Sequence, residues 1–111
     1  MASADNKLQE MQFLEQNLQN ILFQKQAFQI ELNENSLALK EITKTKDDIF
    51  KIVGQLMIKT DKSEIDKELQ NKQKILELRI KTLEKQEKTL TEHLEKIRED
   101  LFKDTKKQNK N

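Results

Sequence analysis

The sequence predicts a mainly α chain in which two long antiparallel helices are joined by a central β-hairpin. Three observations predict it. The stretch Asp48–Thr60 is the one place where β-branched and aromatic residues cluster tightly, and it holds the single glycine of the 111 residues. On each side lie about forty residues whose apolar positions recur at three- and four-residue steps, the period of a helix face. The composition, 34% apolar and 37% charged with no proline, is too poor in apolar residues for a compact globular core but suits an extended coiled coil.

Residues 1–6, Met-Ala-Ser-Ala-Asp-Asn, carry no periodicity and are expected to fray, with Asp5 or Asn6 able to cap a helix that starts after them. The first helix is expected over 7–46. Its seam runs through Met11, Leu14, Leu18, Ile21, Phe28, Leu32, Leu39 and Ile42, with Lys25 and Asn35 on the same stripe. Leu8, Leu22 and Phe23 are expected to widen it. The β-branched residues and lysines of Ile42-Thr43-Lys44-Thr45-Lys46 suit a helix C-terminus.

The hairpin is expected over 48–60. Gly54-Gln55 between two runs of β-formers fits a two-residue type II′ loop, whose first position needs φ > 0. Val53 then faces Leu56, and counting outward pairs Ile52 with Met57, Lys51 with Ile58, Phe50 with Lys59 and Ile49 with Thr60. One face carries Ile49, Val53, Leu56 and Ile58, and the other carries Phe50, Ile52 and Met57, so both expect cover. A lone two-stranded hairpin is marginal in water and both of its strands are open edges. With no other strand candidate in the chain, the missing strands come from other subunits, and Ile49, Phe50, Ile52, Val53, Gly54, Leu56, Met57 and Ile58 become the candidate oligomerisation site. The alternative is a third helix or an apolar kink, against which Gly54 and the β-branched residues count.

The second helix is expected over 63–103, opened by Ser63 with Asp66 as a capping box. Its seam runs through Ile65, Leu69, Leu76, Ile80, Leu83, Leu90, Leu94, Ile97 and Leu101, with Glu87 in register and a stutter expected between Leu76 and Ile80. Ile75 and Leu78 broaden the stripe. Residues 104–111 close the chain as a basic flexible tail. Folding the helices back about Gly54-Gln55 places residue i roughly opposite 109 minus i. Lys25 of one seam then meets Glu84 and Glu87 of the other, a charge match that fixes register. Each arm, about 40 helical residues, would extend roughly 60 Å, with the hairpin at one end and both termini at the other.

No enzyme constellation is present. One glycine cannot build a phosphate-cradling loop, the lone His93 has no metal-ligating neighbour, and carboxylates along exposed helices are solvated partners of lysine. No catalytic, cofactor or metal residue is expected, and no disulfide, since cysteine is absent. A net charge of +1 gives no general field for nucleic acid. No apolar run reaches the length of a membrane span or signal peptide, which points to a cytoplasmic chain. Near the termini, Leu8, Met11, Phe13 and Leu14 converge with Ile97, Leu101 and Phe102, more apolar residues than a two-helix seam needs. Phe13 and Phe102 lie off the stripe. The cluster reads either as frayed ends with incidental hydrophobes or as an adaptable apolar patch for a partner.

With both seams and the hairpin in place, the chain resembles the β subunits of prefoldin, archaeal proteins with eukaryotic prefoldin 6-type relatives, over roughly residues 8–102. The segments that carry the resemblance are Gln24-Lys25-Gln26, Gln29-Ile30-Glu31-Leu32, Phe50-Lys51-Ile52-Val53-Gly54, Leu56-Met57-Ile58-Lys59 and Arg79-Ile80-Lys81-Thr82-Leu83-Glu84-Lys85-Gln86-Glu87-Lys88. Phe50 stands where the family usually has tyrosine. The single hairpin is of the β kind, since α-type subunits carry two. The resemblance implies an ATP-independent holdase, a hexamer of two β and four α subunits whose hairpins build a β-barrel platform. It also implies that unfolded clients are held at the coiled-coil tips, here Leu8, Met11, Phe13, Leu14, Ile97, Leu101 and Phe102, and passed to a group II chaperonin. Two other classes compete: a structural coiled-coil adaptor whose tips bind one folded partner, and nucleic-acid binding through Lys103, Lys106, Lys107 and Lys110 of the tail.

Overall fold

The computed structural model describes residues 2–109, with side chains from 4 to 104. The order of elements is α1 (Ala2–Lys44), β1 (Ile49–Val53), β2 (Leu56–Thr60) and α2 (Lys62–Asn109). The contacts divide into two compact units. A terminal unit comprises Met1–Gln26 with Lys81–Asn111, and a hairpin unit comprises Ala27–Ile80.

Both helices outrun the expected limits at the chain ends. α1 begins at Ala2 rather than residue 7, and α2 continues to Asn109 rather than stopping at 103. Loss of apolar periodicity removes a reason to pack but not a reason to be helical. Residues 1–6 and 103–109 contain no proline or glycine, and propagation from an existing helix needs only tolerant residues. The basic tail expected over 104–111 is thus helical to Asn109, while the side chains of 105–111 lie outside the described residues.

The inner helix ends are set by identifiable bonds. α1 ends at Lys44, two residues early, where the Thr45 amide donates to the Glu41 carbonyl at 2.9 Å. The Thr45 hydroxyl then accepts from the Asp47 amide at 3.3 Å, a local turn that competes with further helix. Two carbonyls at this end, those of Thr43 and Thr45, accept from the Lys62 ammonium at 3.4 Å each, which answers acceptors that a helix terminus leaves open. α2 opens at Lys62, and the Ile65 amide donates to the Asp61 carbonyl at 3.1 Å. Asp61 is therefore the residue at the cap position, and the box expected from Ser63 and Asp66 sits inside the first turn instead.

In the hairpin unit the register is Ile49↔Thr60, Phe50↔Lys59, Lys51↔Ile58, Ile52↔Met57 and Val53↔Leu56, as the sequence implies. Gly54 has φ +63°, and among the described residues no other has positive φ. Gln55 is therefore on the negative side, which makes the turn type II′ rather than I′. A Cβ on Gly54 would meet nothing within 4 Å, so the glycine is required by backbone conformation alone. Gly54→Ala is expected to cost about 1–2 kcal/mol through the left-handed strain, read as faster hydrogen exchange at the Val53 and Leu56 amides. An unchanged exchange rate would mean the turn had re-formed another way.

The helical part of this unit packs Leu76 and Ile80 inside, with Phe28, Leu32, Leu39, Ile42, Ile65 and Leu69 half-buried. Asn35 is only 4% exposed. Its Nδ2 donates to the Leu69 carbonyl at 2.8 Å and to Gln73 Oε1 at 2.9 Å, and Ser36 Oγ lies 3.1 Å from Gln73 Nε2. Gln73 is half-buried and fills the seam between Leu69 and Leu76. With it the seven-residue count runs unbroken from Leu69 to Leu101, so the stutter expected at Leu76–Ile80 is absent. The Arg79 guanidinium stacks over the Phe28 ring, 5.5 Å from its centroid, and Lys72 pairs with Glu31 at 3.3 Å.

In the terminal unit the core is Leu14, Leu94 and Ile97, with Met11, Leu18, Leu90 and Leu101 packed against it. Ile21 and Leu83 are also buried. Lys25 Nζ lies 3.1 Å from Glu87 Oε2 and 3.8 Å from Glu84 Oε1, the pairing expected from antiparallel register. Glu15 with Arg98, Glu10 with His93 and Lys7 with Asp104 continue it. Leu22 and Phe23, expected to widen the seam, are exposed instead, because a two-helix interface covers only a narrow stripe.

Candidate functional site

Two surfaces are candidates, one in each unit. The hairpin is a two-stranded sheet, so each strand has one unpaired edge. Alternation sends Ile49, Lys51 and Val53 to one face and Phe50 and Ile52 to the other. The first face is partly covered: Ile49, Lys51 and Thr60 are half-buried, and Lys51 Nζ reaches Glu68 Oε2 of α2 at 2.9 Å. Toward the turn the cover ends, and Val53, Leu56 and Ile58 are exposed. Among the described residues the second face is the more open, with Phe50 52%, Ile52 71% and Met57 68% exposed. Lys59 with Asp48 at 3.5 Å is the charged border of the sheet. An open edge together with an exposed apolar face is the surface that a strand from another chain completes.

In the terminal unit the seven apolar residues singled out from the sequence separate into two sets. Leu14 and Ile97 are buried core, and Met11 and Leu101 are half-buried against it. A side chain sealed in the seam cannot contact a partner without opening the helices, so Leu14 and Ile97 are removed from the candidate surface. Leu8, Phe13 and Phe102 are exposed at 44%, 66% and 63% and form its accessible part. The sequence already distinguished Phe13 and Phe102 as lying off the stripe, and Leu8 follows Lys7 by one residue, off the seam position that Lys7 takes toward Asp104.

Sequence reasoning passed over Ile30 and Leu37 of α1, which are exposed in the hairpin unit. Their seven-residue spacing, offset from the seam, is the signal that marks them. Ile75 and Leu78 are likewise exposed. Among the described residues, no group of acidic residues, histidine and cysteine is placed to hold a metal ion, and no helix is long and apolar enough to cross a membrane.

Comparison with known proteins matches this arrangement. The family described as Prefoldin subunit matches residues 5–108. Prefoldin subunit beta of Thermococcus onnurineus is 42% identical over 92 residues, 81% of this chain and 79% of that protein. Prefoldin subunit beta of Pyrobaculum calidifontis is 41% identical over 92 residues, 81% of this chain and 74% of that one. The crystal structure of the prefoldin beta subunit from Thermococcus strain KS-1 superposes with a TM-score of 0.85 at 35% identity, covering 91% of this chain and 90% of that chain. The beta2 subunit from the same strain gives 0.72 at 25% identity, over 78% and 95%. With a single type II′ hairpin between two helices and these likenesses over most of its length, the chain belongs to the prefoldin family of chaperone subunits, on its β-subunit side.

Proposed function

We propose that this chain is the β-type subunit of an ATP-independent holdase: it joins α-type subunits through its hairpin, two β with four α, and holds unfolded proteins in the cytoplasm for transfer to a group II chaperonin. The observation that carries the proposal is the hairpin itself. Two strands with open edges and an exposed face of Phe50, Ile52 and Met57 are incomplete as a sheet, and strands of neighbouring subunits, closed into a barrel, would remove the edges. Holding clients of unrelated sequence without nucleotide needs exposed, shallow apolar surface, and Leu8, Phe13 and Phe102 supply it, with Met11 and Leu101 at its margin.

Removing residues 1–13 and 98–111 tests the client role. The cut takes Leu8, Phe13 and Phe102 but stops short of Leu14, Leu94 and Ile97, the core cluster, and leaves the hairpin intact. The truncated chain is expected to assemble normally yet lose most suppression of aggregation of several unrelated denatured proteins. Single serine substitutions at Leu8, Phe13 or Phe102 should each have small effects, since a grip repeated on several subunits tolerates the loss of one contact. A truncated complex that protects as well as the intact one would refute the client role of these residues. An intact complex that protects no client would favour a structural adaptor.

A further inference from the structure

Where the chain enters and leaves the hairpin, the hairpin unit carries an open hollow of about 510 Å³, lined by Ile42 and Thr43 of α1 and by Lys62, Ser63 and Asp66 of α2. Ile42 and Asp66 are half-buried and the other three are exposed. The Thr43 hydroxyl is turned back to the Leu39 carbonyl at 2.9 Å, and the Lys62 ammonium is taken up by the carbonyls of Thr43 and Thr45. Asp66 is left without an ionic partner. Gln70 Nε2 donates to its Oδ2 at 2.9 Å, and among the described residues no cation lies within ion-pair distance of it. A half-buried carboxylate with acceptor capacity to spare is tolerable while water reaches it, and costly once a neighbouring chain covers it without a counter-charge.

We propose that this hollow seats an arginine side chain of a neighbouring α-type subunit, its stem against Ile42 and its guanidinium on the Asp66 carboxylate. This contact rests on the assembly reading and adds to it an anchor outside the sheet. The hollow begins two residues after Thr60, where β2 ends, so a chain whose strand completes the hairpin comes within reach of it. A long basic side chain lays its methylenes on an apolar wall while its head meets an anion. Of the two long cations, the guanidinium matches both carboxylate oxygens with its planar fork and is the less strongly hydrated, so it loses less on being covered. Lys62 shows where an ammonium placed here goes instead: to the bare carbonyls at the end of α1. The anchor also selects the partner. Apolar strands pair with little discrimination, whereas a charge that must be matched rejects chains that lack its complement. The arginines of this chain are Arg79 and Arg98, both far in sequence from the strands, so a second copy joined edge to edge would leave Asp66 unmatched.

The test titrates α-type subunits against the full chain and follows assembly by analytical ultracentrifugation at low and high salt. Asp66→Asn is expected to raise the α-type concentration at half-assembly about tenfold and to flatten its dependence on salt, since one ion pair fewer is screened. Asp66→Glu should recover part of the affinity. Glu64→Gln controls for the helix start: it removes a charge from the first turn of α2 but lies outside the hollow, and should leave assembly within about threefold of the unaltered chain. Because the chain has no cysteine of its own, Asp66→Cys treated with a reagent that joins a thiol to a guanidinium should couple to an arginine of the α-type subunit. Unchanged assembly and salt dependence in Asp66→Asn would overturn the inference. An equal loss in Glu64→Gln would overturn it as well, by tracing the effect to the helix start, and so would the absence of a coupled arginine. In each of these cases the assembly reading stands if Ile52→Lys still abolishes the complex. Normal assembly of Ile52→Lys would remove that reading and the arginine anchor together.

Discussion

Ile52→Lys, or Val53→Asp, is expected to abolish co-assembly with α-type subunits while leaving helical content near that of the unaltered chain. Both side chains are exposed here, Ile52 at 71%, so neither substitution disturbs packing within the chain. In an assembled sheet the same positions would be covered, and covering an Ile or Val side chain is worth about 1.5–3 kcal/mol. The substitution removes that gain and also asks the interface to desolvate an unpaired charge, which costs several kcal/mol more. Every β copy in the complex repeats the penalty. Native mass spectrometry would show free subunits, and circular dichroism would show α1 and α2 retained. A complex of normal mass from either variant would count decisively against the platform role.

The second large effect is expected at the charged layer of the terminal unit. Lys25 and Glu87 are partly shielded, with side chains 22% and 30% exposed, and Glu84 stands as a second carboxylate at 3.8 Å. Lys25→Glu places a third carboxylate beside these two and is expected to destabilise by about 2 kcal/mol, between the small value of an exposed pair and the larger one of a buried pair. Lys25→Leu should cost less, because it leaves Glu87 unpaired without adding repulsion. Combining Lys25→Glu with Glu87→Lys should restore much of the loss, and raising the salt concentration should shrink the whole cycle. Urea midpoints for the unaltered chain, Lys25→Leu, Lys25→Glu, Glu87→Lys and the double variant check this. Additive losses in the double variant would mean the two residues do not act on each other in solution.

The elements, the hairpin register and the pairing of Lys25 were legible because each depends on a local rule: period, turn chemistry, or counting from the turn. Polar seam residues were harder. Gln73 is invisible to a search for apolar periodicity, yet it fills a seam position by bonding to Asn35 and Ser36, and without it the heptads seemed to break at Leu76. Asp61 takes the cap position although Ser63 with Asp66 has the better motif, because Thr60 ends β2 and the chain turns directly into the helix there. The candidate surface near the termini was legible as a set of apolar residues but not in its division. Leu14 and Phe13 are neighbours in sequence, and only the placement of the partner helix decides that one is sealed and the other exposed.

The antiparallel pairing also sets an order of events in time. Partners are separated by 17 residues for Lys62 with Thr45, 37 for Gln73 with Ser36, 62 for Lys25 with Glu87 and 97 for Lys7 with Asp104. Closing a loop costs entropy that grows with the logarithm of its length, so the last of these pairs costs about 1.5 kcal/mol more than the first if each closes alone. Once an inner pair has closed, the loop left for the next one is shorter than its full separation. The chain is thus built to zip outward from the turn. Opening runs the other way, and amides near Lys7 and Asp104 should exchange first. The tight cluster of Leu14, Leu94 and Ile97 stands just inside them, where a zipper with the longest loops most needs a clasp.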